Sequence, residues 1–127
     1  MVVDDAAFMR LRACKVLQDN GHEVVQAENG LDAVRQYEEH RPDAVLMDIT
    51  MPEMEGIEAA ELIVRQHAEA RVIMVSSVGY QENIVAALQR GARHFVQKPV
   101  KAEVLYEVIK YVMGEECVVA KSATQGS

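Results

Sequence analysis

The sequence predicts an α/β protein: five strand-then-helix units forming a parallel sheet with helices on both faces. Three observations carry that expectation. Short apolar runs alternate along the chain with segments of helical period. Turn signals fall between them, at Asn20-Gly21, Asn29-Gly30 and Arg41-Pro42. The length of 127 residues suits one domain large enough to bury a core. Strands that alternate with helices pair in parallel through right-handed crossovers.

Residues 1–3 read as the stub of a first strand. Asp5 to Asn20 follows as a helix, with Phe8, Leu11, Val16 and Leu17 near one face and Asn20-Gly21 as its C-terminal signal. His22 to Ala27 is a short second strand. Asn29-Gly30 opens a helix that carries Ala33, Val34 and Tyr37, and Arg41-Pro42 ends it because the residue before a proline disfavours helix. Asp43 to Met47 is the third strand, and Gly56 to His67 the third helix, with Ile57, Ala60 and Val64 inward. Arg71 to Ser76, Glu82 to Arg90 (stopped by Gly91) and His94 to Gln97 give strand, helix and strand. Lys101 to Met113 is a last helix with Val104, Leu105, Val108, Ile109 and Val112 on its faces.

Composition narrows the function classes. Half the residues are hydrophobic and 26% are charged, as in ordinary globular domains. The net charge of −7, from 20 acidic and 13 basic residues, lacks the electrostatic footprint of a nucleic-acid binder. No apolar run approaches the roughly 20 residues needed to cross a bilayer, and Met1-Val2-Val3 meets acid at once, so the expected location is cytoplasmic. Cys14 and Cys117 have no metal or redox spacing and read as free thiols, with Cys14 a small buried hydrophobe.

In open α/β sheets, ligands bind beyond the carboxyl ends of the strands. The residues there are Asp4 and Asp5, Asp48, Ser76 and Ser77, and Lys98-Pro99. Each has an ordinary alternative: a helix cap for Asp4 or Asp5, a strand-ending carboxylate for Asp48, a backbone-bonded hydroxyl for Ser76, a solvated cation for Lys98. Their joint placement on one rim favours function. Three carboxylates together repel and call for a cation. Magnesium takes oxygen ligands and keeps several waters, which suits Asp4, Asp5 and Asp48, whereas no histidine cluster points to zinc. A carboxylate can carry a phosphoryl group if charge on the transferred oxygens is neutralised. Asp48 is then a phosphoacceptor, with the metal, Lys98 and Ser76 as the neutralising groups.

These stretches resemble the receiver domain of two-component response regulators. The likeness rests on "VVDD" at 2–5, "VLMDITMPEMEG" at 45–56, "VIMVSS" at 72–77 and "HFVQKP" at 94–99. It covers residues 1 to about 113 and looks strongest toward the chemotaxis members. The resemblance implies a doubly wound five-stranded parallel sheet of order 2-1-3-4-5 with five helices. It implies that Asp48 accepts phosphate from the phosphohistidine of a sensor histidine kinase or phosphotransfer protein. Asp5 and Asp48 would bind Mg2+ directly, Asp4 directly or through water, and Thr50 through its carbonyl. Ser76 would turn toward the phosphoryl group, Phe95 would follow it inward, Lys98 would pair with a phosphoryl oxygen, and the Lys98-Pro99 bond would be cis. The chain would catalyse its own phosphorylation and slow dephosphorylation. Output would pass through the fourth helix, fifth strand and fifth helix, with Arg90, His94, Lys101, Tyr106 and Lys110 on that face. The receiver of that output would be a flagellar motor protein, an enzyme or an output domain, with the chain a monomer or a phosphorylation-dependent dimer.

Departures from the family pattern stand out. The first strand is short of apolar residues before the acid pair. Glu55, Ser77 and Val100 replace the commoner Asp, Ala or Gly, and Phe. Thr50 and Val78 flank the path of attacking water and neither is a strong base, so slow self-hydrolysis is expected. The domain is expected over 1–113. Residues 114–127 lose helical period and leave open a flexible tail or the start of a linker to an output domain of a larger regulator. A phosphohydrolase of the haloacid dehalogenase type is disfavoured because Thr50 stands where that family needs a second acid. A partner-binding pseudo-receiver is disfavoured by the intact acid pair, Asp48, Ser76 and Lys98.

Overall fold

The computed structural model describes residues 1–49, 56–76, 81–98 and 100–114, with the backbone alone over 81–84. Five strands and five helices alternate: β1 (Val2–Val3), α1 (Ala7–Asp19), β2 (Gln26–Ala27), α2 (Gly30–His40), β3 (Val45–Asp48), α3 (Gly56–Gln66), β4 (Val72–Ser76), α4 (Gln81–Gln89), β5 (His94–Gln97) and α5 (Ala102–Met113). The strands form one parallel sheet of order β2-β1-β3-β4-β5. Among the described residues no helix is long and apolar enough to cross a membrane.

Side chains alternate across a strand, and here the alternation feeds two cores. Val3, Val45, Met47, Val72 and Met74 point toward α2, α3 and α4, where they meet Ala33, Tyr37, Ile57, Ala60, Ile63 and Ala87. Val2, Leu46, Ile73 and Val96 point the other way, toward Cys14 and Leu17 of α1 and Leu105, Val108, Ile109 and Val112 of α5. Both faces of the sheet are therefore covered, which is why its strands read as near-continuous apolar runs.

Three sequence expectations need correction. Phe8 and Leu11 are not on the inner face of α1; they are 75% and 55% exposed, while Cys14 and Leu17 are buried. Phe8 lies about two and a half turns from Leu17, so the two project from opposite sides. The second strand covers Gln26–Ala27 alone, because β1 offers only Val2 and Val3 as its partners. The third strand is shifted forward, ending at Asp48 rather than Met47, so Asp48 is held within the sheet ladder opposite Val75.

Helix ends follow local chemistry. The Asn29 side chain accepts from the Asp32 amide at 2.8 Å and caps α2. Arg41, before Pro42, closes that helix in a left-handed conformation, with its amide donating to the Tyr37 carbonyl. Thr50, Glu55, Ser77, Val78, Pro99, Cys117 and residues 115–127, for which the sequence raised expectations, lie outside the described residues.

Candidate functional site

Parallel pairing brings the carboxyl ends of β1, β3, β4 and β5 to one rim. Asp4 and Asp5 follow β1, Asp48 ends β3, Ser76 ends β4 and Lys98 follows β5. One carboxylate oxygen from each of Asp4, Asp5 and Asp48 lies within 4.8 Å of the others. Asp4 and Asp48 are buried and Asp5 is exposed. The Lys98 ammonium reaches across, 3.4 Å from Asp48 Oδ2 and 3.6 Å from Asp4 Oδ2. Its backbone amide donates to the Ser76 carbonyl at 2.7 Å, which ties the lysine to the end of β4. The buried Ser76 hydroxyl has no hydrogen-bond partner among the described residues.

Asp4 is held firmly. Its amide donates to the Ala27 carbonyl at 3.2 Å, its Oδ1 accepts from the Ala6 amide at 2.9 Å, and its carbonyl accepts from Arg10 Nη1 at 2.7 Å. The Asp48 backbone is equally confined. The Ile49 amide donates to the Val75 carbonyl at 3.0 Å, and the Gly56 amide donates to the Ile49 carbonyl at 3.0 Å. A Cβ at Gly56 would run into the Asp48 carbonyl oxygen and stand 3.0 Å from the Ile49 Cα, so only glycine lets α3 begin this close to β3.

The donor set fits magnesium. All three groups are hard oxygen donors, neither histidine nor cysteine joins them, and the exposed Asp5 leaves the ion open to water. Oxygens within 4.8 Å of one another are close enough to share one such ion, directly or through a water. One lysine beside three carboxylates leaves negative charge that a dication would offset.

Two features beside this rim were not legible in the sequence. A cavity of about 80 Å3 lies between α1, α5 and the sheet, lined by Met9, Arg12, Val16, Val100 and Leu105 and reaching Asp4, Asp48 and Lys98. The other is the Arg10 contact on the Asp4 carbonyl. Of the residues expected to carry output, Phe95 is 38% exposed, with its ring centroid 5.9 Å from that of His94, which also packs edge-on against Tyr111 at 5.5 Å. Lys101 and Lys110 are exposed, and Arg90 reaches Glu61 at 3.9 Å. The Tyr106 hydroxyl instead donates to the Val16 carbonyl at 3.1 Å, joining α5 to α1.

Residues 1–110 match the family model for the response regulator receiver domain. The chain is 51% identical over 110 residues to the chemotaxis protein CheY of Bacillus subtilis, covering 86% of this chain and 92% of that protein. Among solved structures, the receiver domain of NtrX from Brucella abortus superposes with a TM-score of 0.84 at 33% identity, covering 88% and 95% of the two chains. A chain of the CheX-CheY-BeF3-Mg complex of Borrelia burgdorferi gives 0.82 at 32% identity, covering 87% of this chain and 85% of that one. A family match that runs from β1 into α5, with such identity to a curated member, assigns the chain: it belongs to the response regulator receiver domain family.

Proposed function

We propose that this receiver domain is a magnesium-dependent phosphoacceptor switch in which Asp48 takes a phosphoryl group from a sensor histidine kinase or phosphotransfer protein. The observation that carries the reading is Lys98, whose ammonium stands 3.4 Å from Asp48 Oδ2 and 3.6 Å from Asp4 Oδ2 at the end of a buried strand. An Asp48 oxygen attacks the phosphorus, the bond from phosphorus to the donor breaks, and the donor leaves with its electron pair. Lys98 is placed to exchange its carboxylate contact for a phosphoryl oxygen, and the Ser76 hydroxyl to donate to another. Magnesium held by Asp5 and Asp48, with Asp4 through water, would neutralise charge on the transferred oxygens. Confinement of Asp48 by the ladder to β4 and by Gly56 supports in-line attack without reorganisation.

The phosphoryl group adds about two negative charges, and its effect passes from Ser76 along β4 to β5 and Phe95. The face of α4, β5 and α5 then presents a changed surface to a downstream partner. Similarity to CheY supports a chemotaxis role in the cytoplasm, with the domain over residues 1–113. The test is an amide-resolved NMR titration with beryllofluoride and magnesium. Shifts at Asp48 and Ser76 that extend to Phe95 and α5 are expected; shifts confined to the rim would leave an acceptor without a switch, and none at all would remove both.

A further inference from the structure

We propose that Arg10 is the positioning residue for the acid pair, fixing the direction of Asp5 toward the cation; this rests on the magnesium site proposed above. Arg10 lies in the first turn of α1. Its Nη1 donates to the Asp4 carbonyl at 2.7 Å and its Nε donates to Gln26 Oε1 at 3.0 Å. One planar guanidinium therefore joins α1, the end of β1 and the neighbouring β2, in a fork that lysine cannot reproduce. The carbonyl it holds belongs to the Asp4–Asp5 peptide, and a planar peptide fixed at its oxygen fixes the Asp5 amide and hence the origin of the Asp5 side chain.

Asp5 depends on this more than its neighbours do. Asp4 has its own amide, carboxylate and lysine contacts, and Asp48 sits in the β3–β4 ladder. Asp5 is exposed, with no hydrogen-bond or ion-pair partner among the described residues. Arg10 likewise forms no ion pair with a carboxylate among the described residues, so its charge is not spent on neutralising the site. Charge and geometry then predict opposite signs. A guanidinium beside a dication repels it, so removal on charge alone tightens magnesium binding. Loss of a group that aims a ligand loosens it.

The test uses the full chain, without phosphodonor, titrated with magnesium chloride and followed at the Asp5, Ala6 and Ile49 amides, beside thermal melts without metal. Arg10→Met and Arg10→Lys are both expected to raise the magnesium dissociation constant about tenfold, the usual effect of removing a group that orients a metal ligand. Gln26→Ala, which frees one end of the guanidinium, is expected to raise it less. An Arg10→Met protein that binds magnesium as tightly as the unsubstituted chain, or more tightly, overturns the proposal. So does a variant that melts earlier while its folded form keeps the original dissociation constant, because Arg10 would then only stabilise. If Arg10→Met does not fold, Arg10→Lys and Gln26→Ala decide the question. Failure of the unsubstituted protein to bind magnesium is a separate result, which removes the metal site and the Arg10 role together.

Discussion

The two sides of the sheet are built to different tolerances. Toward α2, α3 and α4, Ala27, Ala33, Val45, Met47, Ala59, Val72 and Met74 are all at 0% exposure. Toward α1 and α5, among the described residues, only Ile73 is sealed to that degree, and a cavity runs up to Asp4, Asp48 and Lys98. Three helices cover the first side and two the second. The acid rim is thus anchored from the tight side, through Gly56 against the Asp48 carbonyl, and opens inward onto the loose one. The rearrangement proposed for phosphorylation would gain from that asymmetry, since segments with fewer packing contacts move at lower cost.

The largest expected effect tests the tight side. Ile63→Ala is expected to cost about 4 kcal/mol, near the upper end for a buried aliphatic truncation, because Ile63 is 1% exposed within the larger core. Leu105→Ala, beside the existing cavity, is expected to cost only about 2 kcal/mol, since its surroundings already tolerate free volume. Equal costs in urea melts of the two variants would break the comparison. Gly56→Ala comes next, at about 3 kcal/mol for a Cβ forced against backbone, and it should also distort the Asp48 strand end. Stability within 1 kcal/mol of the parent would mean that the approach of α3 to β3 is not constrained.

Smaller effects sharpen the picture at the surface. Phe8→Ser is expected to change stability by less than about 0.5 kcal/mol, as suits a side chain 75% exposed; a loss of several kcal/mol would restore the inward face expected from sequence. The smallest effect lies between α2 and the end of α3. His67, 3.0 Å from Glu38, holds the Glu38 carboxyl below its usual 4.5 chiefly through their hydrogen bond, with Arg41 adding to it. A lowered acid stabilises the fold above its unfolded pKa, and that contribution is lost as pH falls through the folded value. The difference in melting temperature between the parent and Glu38→Gln should therefore be present at pH 7 and vanish below the ordinary carboxylate range. A difference that persists in acid would assign it to packing.

Much of this was legible in the chain. Element order followed from periodicity, and the meeting of Asp4, Asp5, Asp48, Ser76 and Lys98 followed from parallel pairing, which places strand ends together. What failed depended on partners. The length of β2 is set by how much of β1 faces it, which His22–Ala27 cannot reveal. The inner face of α1 is set by where Cys14 and Leu17 meet the sheet, and counting Phe8 and Leu11 as apolar pointed the wrong way. Arg10 carried no signal because its contact is to a backbone carbonyl, whose position only the fold defines.

The most direct test of the central claim is the intact mass of the protein after incubation with acetyl phosphate and magnesium, beside Asp48→Ala and a metal-free control. A gain of about 80 Da that requires both Asp48 and magnesium is expected from a single phosphorylation. A gain that survives in Asp48→Ala, or no gain in the parent under any condition, would contradict it.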